Sequence, residues 1–337
     1  MNRPKKKRVG RRILIFLLAL ILLAAAAFAG IPMTETVEAK TADRSADWMA
    51  DLDDGLRLNE IVLPGTHDSA TQYVQLALFS RCQGLSIGEQ LEAGYRYLDI
   101  RLGFDNARDM KTWELKLMHG FTSCKAGPLP WGESLYLDAV LEQCCAFLKA
   151  HPTETVVFAV KQEHGDESVA EFETWLNTYL KQNEDLWLLT DELPILGEAR
   201  GKLVLLRRYE DEAGLGAEAG IPLLWPNQNG NEDVTKHTEM TDNGSYRLWV
   251  QDRYEYGAED KWTAFQSGLK EPGIGEDDLS IHFLSTKGTL PYGHPYYFAK
   301  TLNARLLELL TEELRGWIVI DFADADLAAH IWSANFN

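Results

Sequence analysis

The chain has 337 residues, 45% of them hydrophobic, and a formal net charge of -18 at pH 7. This length is enough to bury one large α/β core or two smaller cores. The acidic balance excludes nucleic-acid binding through phosphate neutralisation and opposes general attraction to an anionic membrane. Any contact with lipid must therefore rely on local insertion of aromatic or apolar side chains.

The first 30 residues have the pattern of a secretory signal. MNRPKKKRVGRR contains seven basic residues and no acidic residue, and the uncharged run ILIFLLALILLAAAAFAG follows it. This order is typical of an export signal, and small residues mark cleavage sites at 27–29 and 37–39. The apolar run is also close to the shortest length that spans a bilayer, so an uncleaved anchor stays open. We expect a signal peptide or anchor with a polar linker at 1–39 and one folded domain at 48–337.

The four cysteines, Cys82, Cys124, Cys144 and Cys145, lack the paired C-x-x-C spacing of a zinc site. A bridge between Cys82 and Cys124 can form after export. Cys144 and Cys145 lie in a helical pattern, which favours a place in the core.

Beyond the signal, short apolar runs alternate with helical patterns, as is typical of βα units. We predict strands at Ile61–Leu63, Tyr95–Ile100, Leu115–Met118, Val156–Val160, Leu203–Leu206, Leu248–Val250, Ile281–Leu284 and Trp317–Ile320. We predict helices at Ser86–Ala93, Ser134–Ala150, Ser168–Gln182, Tyr256–Ser267, Tyr296–Leu310 and Ala325–Ser333. Pro64 and Gly65 are expected to end the first strand in a tight turn. Ser134 is expected to cap the second helix.

Almost every predicted strand is followed by a polar or ionisable residue. In a parallel barrel the carboxyl ends of all strands open on one face, so these residues would converge on one pocket. Any single one of them can equally be a solvated strand end. The whole pattern predicts an α/β protein with a single distorted, closed TIM-like (β/α)8 barrel.

Two histidines and one arginine of this set suit a phosphodiester substrate. His67, in LPGTHDSAT, and His119, in LMHG, can act as general base and general acid, because imidazole titrates near neutral pH. Arg101, in YLDIRLG, provides a fixed guanidinium for phosphate oxygens. Asp321 can orient one imidazole, and Asp68 can do the same for the other or hold the arginine.

The remaining strand-end residues combine both charges with an aromatic ring. Carboxylates accept hydrogen bonds from vicinal hydroxyls, Lys and Arg donate to them, and a tyrosine ring can stack on a saturated ring. This set predicts a small ligand with many hydroxyl groups; its members are Lys161, Glu163, Arg208, Asp252 and Tyr254.

Nine segments occur in the order, and at about the spacing, that is found in one enzyme family. They are LPGTHDSAT, YRYLDIRL, LMHG, VFAVKQE, GKLVLLRRY, LLWPN, VQDRYEY, HPYYFAKTLN and GWIVIDF. Through them the chain resembles the bacterial phosphatidylinositol-specific phospholipases C from about Asp51 to Asn337. The resemblance implies a bacterial enzyme, secreted or held at the outer face of the cell membrane, that acts on membrane phosphatidylinositol as a monomer without a cofactor. Its products would be diacylglycerol and a 1,2-cyclic inositol phosphate, and glycosylated phosphatidylinositol anchors are an open second substrate.

The resemblance also implies roles for the site residues. His67 is similar to the general base, supported by Asp321, and His119 to the general acid, assisted by Asp68. Arg101 corresponds to the phosphate-stabilising group. The five residues of the hydroxyl-binding set match inositol-binding positions, and Trp225 matches a further aromatic residue of the pocket. The alternatives are a phosphodiesterase for another phospholipid head group and an inactive inositol-lipid-binding module.

The resemblance bears on metal dependence as well. Calcium-dependent relatives hold the ion with an Asn after the first histidine and a Glu-x-Asp on the second strand. Here those places are taken by Asp68 and by Asp99-Ile100-Arg101. An arginine repels a cation and supplies its charge, so we expect no metal.

The segment PYGHPYYFAK is expected to contact the membrane, because aromatic rings favour the boundary between water and a bilayer. Its aromatic residues are Tyr292, Tyr296, Tyr297 and Phe298. Leu76, Leu78 and Phe79 form a second apolar group that can insert. Ordinary packing is the alternative for both groups.

Overall fold

The computed structural model describes residues 5–28, 45–105, 114–229, 238–288 and 294–337. The helices are α1 (Lys5–Phe28), α2 (Ala77–Ser80), α3 (Ile87–Glu92), α4 (Leu137–Ala150), α5 (Val169–Gln182), α6 (Leu196–Ala199), α7 (Ala258–Leu269), α8 (Pro295–Leu306) and α9 (Ala325–Trp332). The strands are β1 (Leu63–Thr66), β2 (Tyr97–Asp105), β3 (Glu114–His119), β4 (Thr122–Ser123), β5 (Val156–His164), β6 (Trp187–Leu188), β7 (Leu203–Arg207), β8 (Ile221–Pro222), β9 (Glu239–Asp242), β10 (Arg247–Gln251), β11 (Leu279–Phe283) and β12 (Trp317–Ile320).

Eight strands run parallel around a TIM-like barrel, in the chain order β1, β2, β5, β7, β8, β10, β11 and β12. The first and last of them pair with each other from Leu63 opposite Trp317 to Thr66 opposite Ile320. Apolar side chains fill the barrel interior, and the outward faces of the strands pack against the helices. This arrangement confirms the predicted barrel and places every parallel strand's carboxyl end on one face.

The third predicted strand is not part of the barrel wall. It is β3, which pairs antiparallel with β2, with Leu117 opposite Leu102 and Glu114 opposite Asp105. The carboxyl-terminal half of β2 therefore extends beyond the barrel. β3 pairs with this extension and runs in the opposite direction, so that His119, at its end, lies near the cavity mouth. The wall position after β7 is occupied instead by β8, which pairs parallel with the second half of β7, and by β6, which pairs parallel with its first half. Each of these strands has only two residues, too few to give a recognisable apolar pattern in the sequence.

Two local predictions were wrong. Pro64 and Gly65 do not end the first strand but lie inside β1, where the Pro64 carbonyl accepts from the Arg96 amide and a Cβ at Gly65 would lie 2.9 Å from the Tyr97 ring. Ser134 does not cap a helix, because it is extended and pairs with Lys125, and α4 begins at Leu137. In both places a partner distant in sequence decides the local structure.

Within the described residues, backbone pairing does not close the barrel, which differs from the expected closed barrel. In the described part of the chain, β8 forms no ladder with β9 or β10. Pro222 has no amide to offer. Side-chain amides bridge the gap instead: Asn243 accepts from the Leu224 amide (2.8 Å) and donates to the Leu224 carbonyl (3.1 Å). Gln228 likewise donates to the Val250 carbonyl and accepts from the Asp252 amide.

Helix α1 covers the apolar run, and its described side chains, from residue 10 to residue 25, are exposed. No helix in the described ranges combines the length and the apolar character of a membrane span. The predicted cleavage sites fall partly or wholly outside the described residues. All four cysteines are free thiols, and Cys82, Cys124 and Cys144 are buried. The open possibility of a bridge between Cys82 and Cys124 is therefore not realised.

The gap predicts a specific stability loss. Asn243→Leu leaves the amide and carbonyl of Leu224 without partners, which we expect to lower the free energy of unfolding by about 1–3 kcal/mol. Urea unfolding measures this change. Asn337→Leu, at an exposed site, is the matched control and should change stability by less than about 0.5 kcal/mol. Equal losses in the two variants would contradict a bridging role for Asn243.

Candidate functional site

A cavity of about 870 Å³ opens at the carboxyl ends of the barrel strands. It brings together residues that are spread over more than 250 positions of the sequence. Ten predicted site residues line it: His67, Arg101, His119, Lys161, Glu163, Arg208, Trp225, Asp252, Tyr254 and Asp321. The predicted convergence of strand-end residues is thus a property of the fold.

His67 and Asp321 form a hydrogen-bonded pair across two neighbouring strands. They follow β1 and β12 directly, and His67 Nδ1 lies 2.8 Å from Asp321 Oδ1. The other ring nitrogen, Nε2, lies 2.9 Å from Nη2 of Arg101. A guanidinium only donates, so these partners assign the proton to Nδ1 and a lone pair to Nε2. Burial lowers the pKa of His67, but the charge and hydrogen bond of Asp321 outweigh it, and the net pKa is raised.

His119 faces His67 across the cavity, with ring centroids 6.5 Å apart and ring planes at 80°. Its Nδ1 lies 2.7 Å from the Ser80 carbonyl, which can only accept, so Nδ1 carries a proton and Nε2 is available for chemistry. Asp68 Oδ2 lies 3.4 Å from the same Nδ1. The two imidazoles therefore stand on either side of the space where a reacting group can bind.

Arg101 is the electrostatic centre of the site. Its guanidinium lies 3.2 Å from Asp68, 2.9 Å from Asp99 and 3.3 Å from Glu163. Burial alone lowers the pKa of Arg101, but these carboxylates raise it well above its usual value. The guanidinium therefore remains charged at every pH at which the imidazoles titrate.

The surrounding carboxylates respond to this cation in different ways. Asp99 is fully buried, yet Arg101 and Arg208 hold its pKa far below the usual range. Burial raises the pKa of Glu163, but Arg101 and Lys161 outweigh that effect and lower it to about 2. Burial dominates at Asp68, whose pKa is raised, and this residue also has a left-handed backbone with φ of 46°.

The hydroxyl-binding set extends from β5, which carries Lys161 and Glu163 beside Arg101, to the gap in the barrel, where Asp252 and Tyr254 follow β10. The Trp225 indole donates to Asp252 (3.3 Å), and the Arg208 guanidinium stacks 3.9 Å from the centre of the Trp225 ring. The Tyr254 hydroxyl donates to Asn227 (2.9 Å). Polar groups and ring faces thus share one wall, as the prediction of a polyhydroxyl ligand requires.

Two groups of side chains in the described residues have ligand types that a metal could use. They are His67, Cys82 and Asp321, and Asp68, Cys82 and His119, with ligand atoms within 4.8 Å of one another. Burial raises the pKa of the Cys82 thiol well above its usual value, and the Arg101 cation lies 3.2 Å from Asp68. A neutral thiol and an adjacent guanidinium both disfavour a cation, so this donor set does not fit a resident metal.

The residues predicted to contact the membrane fall into different environments. Tyr292 lies outside the described residues. Tyr297 is 72% exposed, whereas Tyr296 is half-buried and its ring packs 4.9 Å from that of Phe322. Phe298 is only 9% exposed and lies on the side of α8 that packs into the apolar core, so it is not available for lipid contact. Helical periodicity explains the difference, because consecutive residues of α8 point in different directions.

The second apolar group lies at the cavity mouth. Leu76 and Phe79 line it, and Phe79 is 54% exposed, whereas Leu78 is half-buried and is not part of the lining. Phe121, which is 73% exposed, lines the same mouth and was missed by the sequence reasoning. Phe121 directly follows the LMHG motif, and this closeness to His119 in the sequence could have identified it as a residue of the site.

Two buried residues of the site were also missed. Asp99 had been considered only as a position where relatives bind calcium, yet it accepts from Arg101, Arg208 and the Asp68 amide. Alternate residues of a strand face the same side, so Arg101 itself pointed to Asp99. Cys82, 3.9 Å from His119 Nδ1, had no such signal because it lies in an irregular connection.

Fold and cavity together define an open TIM-like barrel whose charged site lies at the carboxyl ends of its strands. Residues 65–209 match the family described as phosphatidylinositol-specific phospholipase C, X domain. The chain is 27% identical over 295 residues to the 1-phosphatidylinositol phosphodiesterase of Staphylococcus aureus strain Newman, covering 82% of this chain and 88% of that protein. It is 25% identical over 316 residues to the enzyme of the same name from Listeria monocytogenes, covering 88% and 87%.

Solved structures agree with the fold. The phosphatidylinositol-specific phospholipase C of Staphylococcus aureus superposes with a TM-score of 0.69 at 24% identity over 86% of this chain and 97% of that one. The Listeria monocytogenes enzyme gives a TM-score of 0.62 at 22% identity over 86% and 98%. The chain is thus similar to the phosphatidylinositol-specific phospholipases C, and residues 65–209 carry the match to their X domain.

The low pKa of Glu163 predicts an acid-dependent stability term. Its ionised form stabilises the fold above the ordinary pKa of glutamate, about 4.3, and this contribution is lost as the pH falls towards 2. In Glu163→Gln the free energy of unfolding should therefore fall less steeply over this range, by up to about 1.4 kcal/mol per pH unit. Urea unfolding at successive pH values measures the slope. Glu142→Gln, at an exposed position on α4, should keep the wild-type slope. A wild-type slope in Glu163→Gln would contradict the pairing with Arg101 and Lys161.

Proposed function

We propose that this protein is a bacterial phosphatidylinositol-specific phospholipase C, which cleaves phosphatidylinositol to diacylglycerol and a 1,2-cyclic inositol phosphate without a metal ion. The observation that carries the proposal is the pair of opposed imidazoles beside the Arg101 guanidinium, at 6.5 Å between ring centroids. The match of residues 65–209 to the X domain and the naming of relatives as 1-phosphatidylinositol phosphodiesterases support the choice of substrate.

The proposed reaction begins at His67. Its Nε2 lone pair takes the proton from the inositol 2-hydroxyl while the hydroxyl oxygen attacks phosphorus. The Nδ1 proton stays on the ring, and the Asp321 carboxylate stabilises the imidazolium that forms. Arg101 leaves the His67 nitrogen and donates to the phosphate oxygens, where negative charge develops.

His119 completes the reaction from the other side. Its Nε2 proton passes to the diacylglycerol oxygen as the bond between phosphorus and that oxygen breaks. Asp68 and the Ser80 carbonyl both contact Nδ1 and keep the ring in its orientation. The inositol ring occupies the rest of the cavity, where Lys161, Glu163, Arg208, Asp252 and Tyr254 bind its hydroxyls and Trp225 lines the pocket.

We also propose that the mouth of the cavity contacts the membrane. The exposed apolar side chains there are those of Phe79 and Phe121, and Tyr297 lies two residues from Pro295 of the cavity wall. The Staphylococcus aureus relative has been studied for its membrane binding. An acidic protein that binds through these side chains would favour neutral and zwitterionic surfaces. The N-terminal signal segment would deliver it to the outside, as a secreted or anchored monomer.

The first test of the function is turnover in excess chelator. Phosphorus NMR of phosphatidylinositol vesicles with the protein should show the cyclic inositol phosphate appearing. His67→Ala and His119→Ala should each lower kcat by about 10²- to 10⁴-fold, because each removes a proton-transfer group. His164→Ala, an exposed histidine of β5, is the matched control and should retain activity. A requirement for added calcium would refute the role of Arg101, and normal activity in either variant would remove that histidine from the mechanism.

The second test addresses the membrane surface. Phe79→Ala combined with Phe121→Ala should weaken binding to phosphatidylcholine vesicles roughly tenfold or more, since burying one such ring contributes about 1.5–3 kcal/mol. Vesicle sedimentation measures the partition. Leu310→Ala is the control, because Leu310 is 66% exposed and precedes β12 at the opposite end of the barrel. Equal loss in the control, or binding only to anionic vesicles, would contradict the proposed surface.

A further inference from the structure

The connection between α2 and α3 contacts two parts of the site, His119 and the chain next to Asp321. At one end, the Ser80 carbonyl accepts from His119 Nδ1 at 2.7 Å. At the other end, the Cys82 carbonyl accepts from the Phe322 amide at 2.6 Å, directly after Asp321. One short segment, residues 80–83, therefore lies against the chain on either side of the proposed reaction centre.

Gln83 makes the most extensive contacts of this segment. Its side chain is fully buried, and Nε2 donates to the His67 carbonyl (2.7 Å) and to the Ile320 carbonyl (3.0 Å). Its Oε1 accepts from the Ala323 amide at 3.0 Å. One carboxamide thus contacts the backbone of His67 itself and the residues on both sides of Asp321.

The backbone ladder between β1 and β12 ends just before His67 and Asp321. Pairing between β1 and β12 ends at Thr66 opposite Ile320, and the His67 amide makes one further bond to the Ile320 carbonyl. Both chains then leave the sheet, since Asp68 and Phe322 have left-handed backbones with φ of 46° and 50°. Beyond the last ladder bond, the Gln83 side chain joins the two diverging chains.

We propose that Gln83 is a positioning residue, which holds the ends of β1 and β12 at the spacing that the His67–Asp321 hydrogen bond requires. Gln83 acts through His67 and Asp321 and does not touch the substrate. The expected effect on catalysis rests on the proposed function. The effect of Gln83 on the His67–Asp321 hydrogen bond can be tested without substrate.

The chain supplies a matched control at the other end of β1. Asn335 donates to the carbonyls of Val62 and Trp332 and accepts from the Val62 amide, with all three distances between 2.8 and 2.9 Å. It therefore makes the same set of backbone hydrogen bonds as Gln83. It is remote from the cavity, because Val62 precedes β1 whereas His67 follows it.

The test compares Gln83→Met with Asn335→Leu. Both should lose stability, but Gln83→Met should also lower kcat on phosphatidylinositol roughly 10- to 100-fold with KM nearly unchanged, since small displacements of catalytic groups are costly. The acid limb of its pH profile should move to lower pH as the contact with Asp321 weakens. The charged groups that face His67 are Asp321 after β12, Arg101 on β2, Asp68 beside it and His119 on β3, and only the first is displaced. The downfield NMR signal of the His67 Nδ1 proton should broaden or vanish.

Asn335→Leu should keep the wild-type kcat, pH profile and NMR signal. If Gln83→Met behaves like Asn335→Leu in all three readouts, the inference is refuted. Should Gln83→Met fail to fold, Gln83→Asn keeps the neutral carboxamide but is one methylene shorter, so it cannot reach all three backbone partners, and the same readouts apply. If the wild-type protein does not cleave phosphatidylinositol, the proposed function fails, whereas the NMR comparison still decides the role of Gln83.

Discussion

The site depends on one cation, the Arg101 guanidinium, whose side chain is 12% exposed at the cavity. The Arg101 guanidinium contacts the carboxylates of Asp68, Asp99 and Glu163 inside the barrel mouth. Without it, three carboxylates would face one another in a region sheltered from water, where an unpaired charge costs several kcal/mol. Because a guanidinium keeps its proton, this balance does not change while the imidazoles exchange theirs. The same constancy makes Arg101 suitable for binding an anionic group between the two rings.

The barrel divides the cavity into two halves with different support. The imidazoles and Arg101 lie where the ladder is continuous through β12, β1 and β2, which gives proton-transfer groups a rigid base. Part of the hydroxyl-binding wall lies at the gap, where Trp225 follows β8 and Asp252 follows β10. There the two sides are joined by side-chain amides and not by a ladder. Such a wall can vary its ligand contacts while the reactive half stays unchanged, because loops on a rigid scaffold tolerate change.

Sequence reasoning succeeded for this protein where the information was local. The apolar runs located all eight predicted strands to within a few residues, and the polar residues near the strand ends identified ten of the 23 residues that line the cavity. It failed where a distant partner decides. β3 has a strand-like pattern, yet nothing in its own residues states that it pairs antiparallel with β2. Phe298 and Tyr297 are adjacent aromatics, and only the packing of α8 separates the buried one from the exposed one.

The amino-acid sequence by itself determined the class of fold and the chemical groups of the site, because strand periodicity and the residues that end each strand are properties of neighbours along the chain. The tertiary structure decided which of those groups meet, which nitrogen of each imidazole faces an acceptor, and in which direction burial and neighbouring charges shift the pKa of each carboxyl group. These properties arise between residues such as His67 and Asp321, which are 254 positions apart. Their distances and shared burial exist only when the barrel brings the first and last strands together.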